Sequence, residues 1–241
     1  MSIRFKTIAL ISAVLTIFSV QYLFAGEKEE SIATAMVEYL ISARAVVAQN
    51  QKLINDAAKG DKGFTPDVYE QQVRKEFMSR TSTDITKMGA DDFGKALSDI
   101  HQSAKQVVAE AQVQINVPGK EFKGFNPAAF GAKVGAVLQK RSDIQIKQTS
   151  LHFRATYNKP DEYETAILKK FATGVKEQSQ TDETTVNGKK VIRFMVPVYI
   201  ATSCLSCHGD PVGAMDISGH KKEGYKEGEL RGAISIVVPV K

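Results

Sequence analysis

The sequence predicts an α+β protein: two successive copies of a helical hairpin, then a small antiparallel sheet with one helix. Three observations predict it. The first half of the chain aligns with itself at a shift of 61 positions. Apolar residues in that half recur at helical spacing, whereas beyond residue 142 they alternate as strands do. An Asn187-Gly188 pair also separates two β-rich runs, the strongest short hairpin signal.

At the N-terminus, Arg4 and Lys6 precede an apolar run from Thr7 to about Val20, and Phe24-Ala25-Gly26 supplies small residues near a cleavage point. That layout predicts a bacterial secretory signal peptide over residues 1–25. Left uncut, residues 7–24 would act as a membrane anchor, which needs about 20 apolar residues. In either case the remainder is expected in the periplasm. The formal net charge of +5 falls to +3 without Arg4 and Lys6, and the lysines are scattered among acids. No basic stripe interleaved with aromatics is present, so nucleic acid is not an expected partner.

The repeat follows. Val46, Val47, Ala48, Gln51, Ile54 and Asn55 recur as Val107, Val108, Ala109, Gln112, Ile115 and Asn116. Lys59, Lys62, Gly63, Phe64 and Pro66 recur as Lys120, Lys123, Gly124, Phe125 and Pro127. Each copy predicts one helix, a break at Lys-Gly-Phe-x-Pro, and a second helix opening on the proline, which suits a first helical turn. Copy one spans 26–93, including a joining segment Thr81–Phe93, and copy two spans 94–142. Copy one is expected to pack on copy two as an intrachain imitation of a dimer contact.

The remaining region, 143–241, begins with DIQIKQTS, a strand by its alternation. PDEYETAILKKF predicts a helix whose first-turn acids complement its dipole. The hairpin around Asn187-Gly188 and a last strand, LRGAISIVVPV, complete a sheet that needs one face covered.

Between those last strands lies SCLSCHGDP, which holds both cysteines of the chain. Cys204, Cys207 and His208 have the spacing by which two thiols add to the vinyl groups of haem and the adjacent histidine becomes the proximal iron ligand. Structural zinc wants four ligands, and no second pair exists here. A redox disulfide usually opens a helix in a βαβ setting, whereas GDPVGAMDISG reads as turns. One covalent haem c is the expected cofactor, with zinc and a disulfide as the alternatives.

Three stretches in order, IKQTSLHFRATYNKPDEYETAILKKF, PVYIATSCLSCHGDP and DISGHKKEGYKEGELRGAISI, resemble a family of bacterial periplasmic haem c domains with a PAS-like fold. Such domains stand alone or are fused to histidine kinases and chemoreceptors. The resemblance covers about 94–241, which makes copy one an addition. It implies a place for Arg154 beside a haem propionate, although the family's Arg-Asn-Pro is Arg154-Ala155-Thr156 here. Some relatives take a second axial ligand from a cysteine on the N-terminal helix, and both cysteines here are already committed. The sixth position is then another residue, water or open, and His101 is the leading protein candidate, because copy one has Leu40 in its place. His152 is the runner-up. Met78, Met88, Met195 and Met215 suit core filling better, and His220 sits in a polar turn.

Three functions follow as expectations. The first is electron transfer with a redox partner, and the second is redox or small-gas sensing with output through a signalling protein. The third, a peroxidase-type enzyme, needs distal acid–base groups that one histidine and one arginine hardly supply. A homodimer is a further expectation.

Overall fold

The computed structural model describes residues 26–174 and 178–241 in full, and for residues 6–25 the backbone of the first helix. The signal or anchor expected over residues 1–25 therefore lies outside the fully described residues. Copy one comprises α1 (Lys6–Gln49), α2 (Gln51–Ile54) and α3 (Pro66–Thr81). Copy two comprises α4 (Asp92–Glu110), α5 (Gln112–Ile115) and α6 (Pro127–Leu138).

The Lys-Gly-Phe-x-Pro break has the same physics in both copies. Gly63 and Gly124 take φ of 65° and 69°, a left-handed conformation that L side chains rarely adopt. The variable residue is the N-cap: Thr65 accepts from the Val68 N–H, and Asn126 accepts from the Ala129 N–H. Pro66 and Pro127 then open α3 and α6.

The copies exchange equivalent hydrogen bonds. Gln51 donates from Nε2 to the Phe125 carbonyl at 2.9 Å, and Gln112 donates to the Phe64 carbonyl at 3.0 Å. Lys62 N–H donates to Asn116 Oδ1 and Lys123 N–H to Asn55 Oδ1, each at 3.0 Å. An aromatic string, Phe64–Tyr69–Phe130–Phe125, crosses the centre with ring separations of 6.3, 5.7 and 5.7 Å. The expected packing of one copy on the other is thus an approximate two-fold.

The C-terminal region forms one antiparallel sheet in the order β1-β4-β3-β2, from β1 (Gln145–Thr149), β2 (Gln180–Val186), β3 (Lys189–Tyr199) and β4 (Leu230–Pro239). The β2–β3 turn places Asn187 and Gly188 at φ of 51° and 76°, as a type I′ turn requires. Helix α7 (Glu162–Thr173) starts with a capping box between Asp161 and Glu164 and covers one face through Leu168 and Phe171.

The other face carries α1 and α6. Gly135 and Gly131 let α6 lie close on β1, since a Cβ on Gly135 would stand 2.4 Å from the Ile146 carbonyl oxygen. Helix α1 packs on β3 and β4, so a single apolar core runs from Ile32 and Met36 through Leu97 and Phe130 to Phe194 and Ile234. A division at residue 93 cuts through that core. The Gly26–Gln49 part of α1 is long and apolar enough to cross a membrane, but 56% of its most apolar window is buried within the protein, which accounts for its apolarity.

Candidate functional site

The cysteine cluster follows directly on β3. Cys204 closes a 3-10 turn (Thr202–Cys204), while Cys207 and His208 belong to the one-turn helix α8 (Leu205–His208). The chain enters this turn from the end of the central β3–β4 pair, with Ile200 N–H donating to the Glu229 carbonyl and Gly228 N–H donating back to the Ile200 carbonyl, at 2.9 and 2.8 Å. Gly209 ends α8, where a Cβ would meet the Leu205 carbonyl oxygen at 2.8 Å. Both thiols are free and half-buried.

His208 has its Nδ1 2.9 Å from Glu223 Oε2. With that carboxylate fixing Nδ1 as the protonated nitrogen, Nε2 is left as the ring's lone-pair donor, the usual arrangement behind a metal-bound imidazole. Burial holds the His208 ring below its ordinary pKa against the pull of Glu223, and Arg231 and Arg154 push the same way. Neutral imidazole is the form a metal requires. Tyr225 stands edge-on to His208 at 6.4 Å and donates its backbone N–H to the His208 carbonyl.

Glu223 is held in turn by Arg154. The guanidinium makes a two-point contact with it, Nε to Oε1 and Nη2 to Oε2, both 2.7 Å. Arg154 also donates to Asp216 at 2.6 Å, to the Cys207 carbonyl at 2.9 Å and to the Lys221 carbonyl at 3.2 Å. Burial would raise the Glu223 carboxyl, but hydrogen bonds from Arg154 and His208 outweigh it and bring the pKa to about 2. Asp216 is the second anchor, accepting from Ser218 N–H and hydroxyl and from His220 N–H, and it lies well below the usual carboxylate range. Arg154 therefore clamps the 151–158 loop, α8 and the 211–223 loop together. Its donors are almost all taken up by protein, and through Glu223 it is tied to His208.

Two other cations act electrostatically on groups of the cluster. Arg44 comes from α1, and its Nε is sealed from solvent without a hydrogen-bond partner. Burial lowers its pKa to about 10, with Cys204 and Arg231 the charged or ionisable groups that act on it. Arg231, at the start of β4, donates from Nη1 to Ser150 Oγ and the His152 carbonyl and lies over the Tyr225 ring at 5.6 Å. Leu151, Phe153, Val212, Met215 and Ile217 are exposed on the two loops that Arg154 gathers around the thiols. An apolar, flat cofactor fits these residues: two free thiols, an imidazole with Nδ1 fixed, and exposed apolar side chains on the flanking loops.

The other predicted residues lie elsewhere. His101 is buried in the helical layer, with Tyr39 Oη 3.0 Å from Nδ1 and Glu70 Oε1 3.5 Å from Nε2. Both ring nitrogens thus face partners on α1 and α3, and the sixth-ligand role expected for His101 has no support in this arrangement. His152 has an exposed side chain in the loop clamped by Arg154, and its carbonyl receives Arg231. Met195 is fully buried behind α7. Among the described residues no three His, Cys, Asp or Glu side chains converge as metal ligands, so the cluster lacks what a structural zinc needs. Sequence reasoning missed Glu223, Asp216, Arg231, Tyr225 and Arg44. Only Arg44 carried a local signal, as a charge inside the apolar run ISARAVV.

Fold and site together define an α+β protein with a duplicated helical layer, in which a Cys-x-x-Cys-His turn follows the central strand β3 of the sheet. The chain belongs to the Tll0287-like family, whose model matches residues 24–239 and so takes in both hairpins. Among solved structures it is similar to the crystal structure of the cyanobacterial haem protein Tll0287, at 20% identity and a TM-score of 0.40, over 63% of this chain and 96% of that one. No curated protein matches.

Proposed function

We propose that this chain is a periplasmic one-haem protein of the c type with a PAS-like sheet. In this reading Cys204 and Cys207 attach the haem and His208 Nε2 is the proximal ligand. The observation that carries it is the Arg154–Glu223–His208 relay beside two free thiols, which leaves Nε2 as the ring nitrogen for a metal. Family membership supports it, since the cyanobacterial relative is a haem protein. Haem supplies a one-electron couple and a coordination position for a small ligand. The chain's own part is to hold the imidazole neutral at Nε2 and to strengthen its donation through Glu223. The apolar loops exclude water.

Two roles follow from such a site, electron transfer and redox or small-ligand sensing. Sensing is favoured by one observation: α1 packs on β3, the strand that leads into the thiol turn, and also forms the core of the duplicated helical layer. A change at the thiols thereby bears on a surface suited to a signalling partner.

The test is co-expression with a c-type maturation system. Wild-type protein should retain haem through acidic, denaturing extraction, and Cys204→Ala with Cys207→Ala should lose it. His208→Ala should keep the covalent haem but lose its proximal ligand field. Haem absent from the wild type would overturn the reading. A ferrous spectrum that shifts at once with carbon monoxide supports sensing, and an indifferent low-spin spectrum supports electron transfer.

A further inference from the structure

We propose that a cleft between α1, the end of α3 and the start of α4 binds a linear polyamine. This does not rest on the haem reading, because no residue of the cleft belongs to the cysteine turn or to the loops around it. The cleft holds about 390 Å³, room enough for a small organic ligand. One wall is a stripe of α1, where Glu27, Glu30, Thr34 and Glu38 follow one another at helical spacing on a single face. The other wall is apolar and carries Phe77 of α3 and Phe93 of α4.

Charge complementarity selects the occupant. Among the described residues Glu27 and Glu30 make no ion pair, and Glu30 accepts only from Thr181 Oγ1 on the edge strand β2, at 2.9 Å. Glu38 meets Arg80 Nε at 3.1 Å through one oxygen, and both side chains are about a third exposed, so that bridge is a weak one. The chain as a whole carries a formal charge of +5, which makes this acidic cleft a local feature and not a product of composition. The duplication supplies an internal comparison. At the shift of 61, Thr34 and Glu38 become Lys95 and Asp99, an ion pair at 2.6 Å. Thr83, which also lines the cleft, becomes Ile144, buried in the core. Copy one thus leaves acidic and open what copy two neutralises and fills. From Glu27 to Glu38 the helix rises about 16 Å. A single metal ion reaches only part of such a stripe and gains nothing from phenylalanine. A polyamine spreads its ammonium groups along the carboxylates and lays its methylenes on the apolar wall, where the rings also attract cations.

The test is calorimetric titration of the full chain with spermidine, putrescine and magnesium chloride at matched ionic strength. Spermidine should bind saturably at one site and more tightly than putrescine, which has fewer ammonium groups, while magnesium should give no saturable heat. Thr34→Lys gives the exposed face of α1 the cation that copy two already has, so the fold should be kept. It should weaken spermidine by about tenfold or more, through repulsion and through pairing with Glu38. Glu30→Gln should weaken it as well, and Glu121→Gln, in the loop of copy two, should leave it unchanged. The result should be the same with and without haem, so a chain that takes up no haem overturns the haem reading and leaves this one standing. Three outcomes would overturn the cleft: no saturable binding of spermidine, magnesium binding as well as spermidine does, or affinity that Thr34→Lys and Glu30→Gln both leave unmoved. A lysine-rich peptide that binds where spermidine does not would overturn it too, in favour of a protein partner.

Discussion

The backbone N–H of Lys123 donates to the side-chain carbonyl of Asn55 at 3.0 Å, across the boundary between the two copies. The mirror bond, Lys62 N–H to Asn116, has the same length. In each copy the lysine ammonium then folds back on its own loop, onto the Asp56 carbonyl in one and the Val117 and Lys120 carbonyls in the other. Lys62 and Lys123 are consequently among the most buried residues of the chain. The two copies thus hold each other by reciprocal bonds within one chain.

This symmetry predicts matched costs. Asn55→Ala and Asn116→Ala each strand one backbone N–H and should each lower stability by about 1–3 kcal/mol. Urea unfolding of the two variants would show it; one variant neutral and the other costly would mean that the exchange is not equivalent.

Close approach of α6 to β1 predicts an ordering. Gly135→Ala drives a Cβ against the Ile146 carbonyl oxygen, a backbone atom, at 2.4 Å. The net loss should be about 1–3 kcal/mol, even though alanine is the better helix former. Gly131→Ala meets at 2.6 Å only the amide end of Gln148, which can swing aside at the loss of its bond to Ala128. Thermal denaturation should therefore rank Gly135→Ala as the more damaging, and the reverse order would contradict this packing.

His101 offers a pH test. Tyr39, Glu70, Lys105 and Arg74 face it or act on it, and burial, the largest influence, holds its pKa below the ordinary value. Folding therefore favours the neutral ring. Its contribution is complete above about pH 6.5, the unfolded value, and is lost as pH falls through the lower folded value. His101→Leu, which installs the residue of copy one, should cost about 1 kcal/mol at pH 7. It should also flatten the fall in the urea midpoint between pH 7 and 5. Its haem spectrum should match wild type; an altered low-spin spectrum would restore His101 as an axial ligand.

In the proposed haem protein, Glu223 would act on the iron through His208. Glu223→Gln removes the carboxylate that strengthens imidazole donation, and the ferric state loses most by it. The midpoint potential should rise, by about 59 mV if the effect is tenfold. Spectroelectrochemistry on haem-loaded protein would detect it, and an unchanged or lower potential would break the link from Glu223 to the ligand.

Much of the architecture was legible because it is local. The Asn187-Gly188 turn, the Pro66 and Pro127 helix starts and the alternation of DIQIKQTS each depend on neighbours a few residues away. The Cys204–Cys207–His208 turn was legible for the same reason. Glu223 was not, because it lies 15 residues from His208 and reaches it only after Asp216 and Arg154 have folded the intervening loop. The surroundings of His101 were not legible either, because a histidine at the edge of an apolar helix face reads the same whether it meets a metal or Tyr39.

The sequence by itself determined the α+β class, the 61-residue duplication and the haem-type Cys-x-x-Cys-His spacing, since spacing, periodicity and turn chemistry are properties of contiguous chain. Only the tertiary structure decided which charges meet. It matched Arg154 to Glu223 and Asp216 and set His101 against Tyr39 and Glu70 in the helical layer. Those pairings join residues tens of positions apart. Their strength depends on burial and on distances of a few ångströms, which exist only once α1 has packed on the sheet.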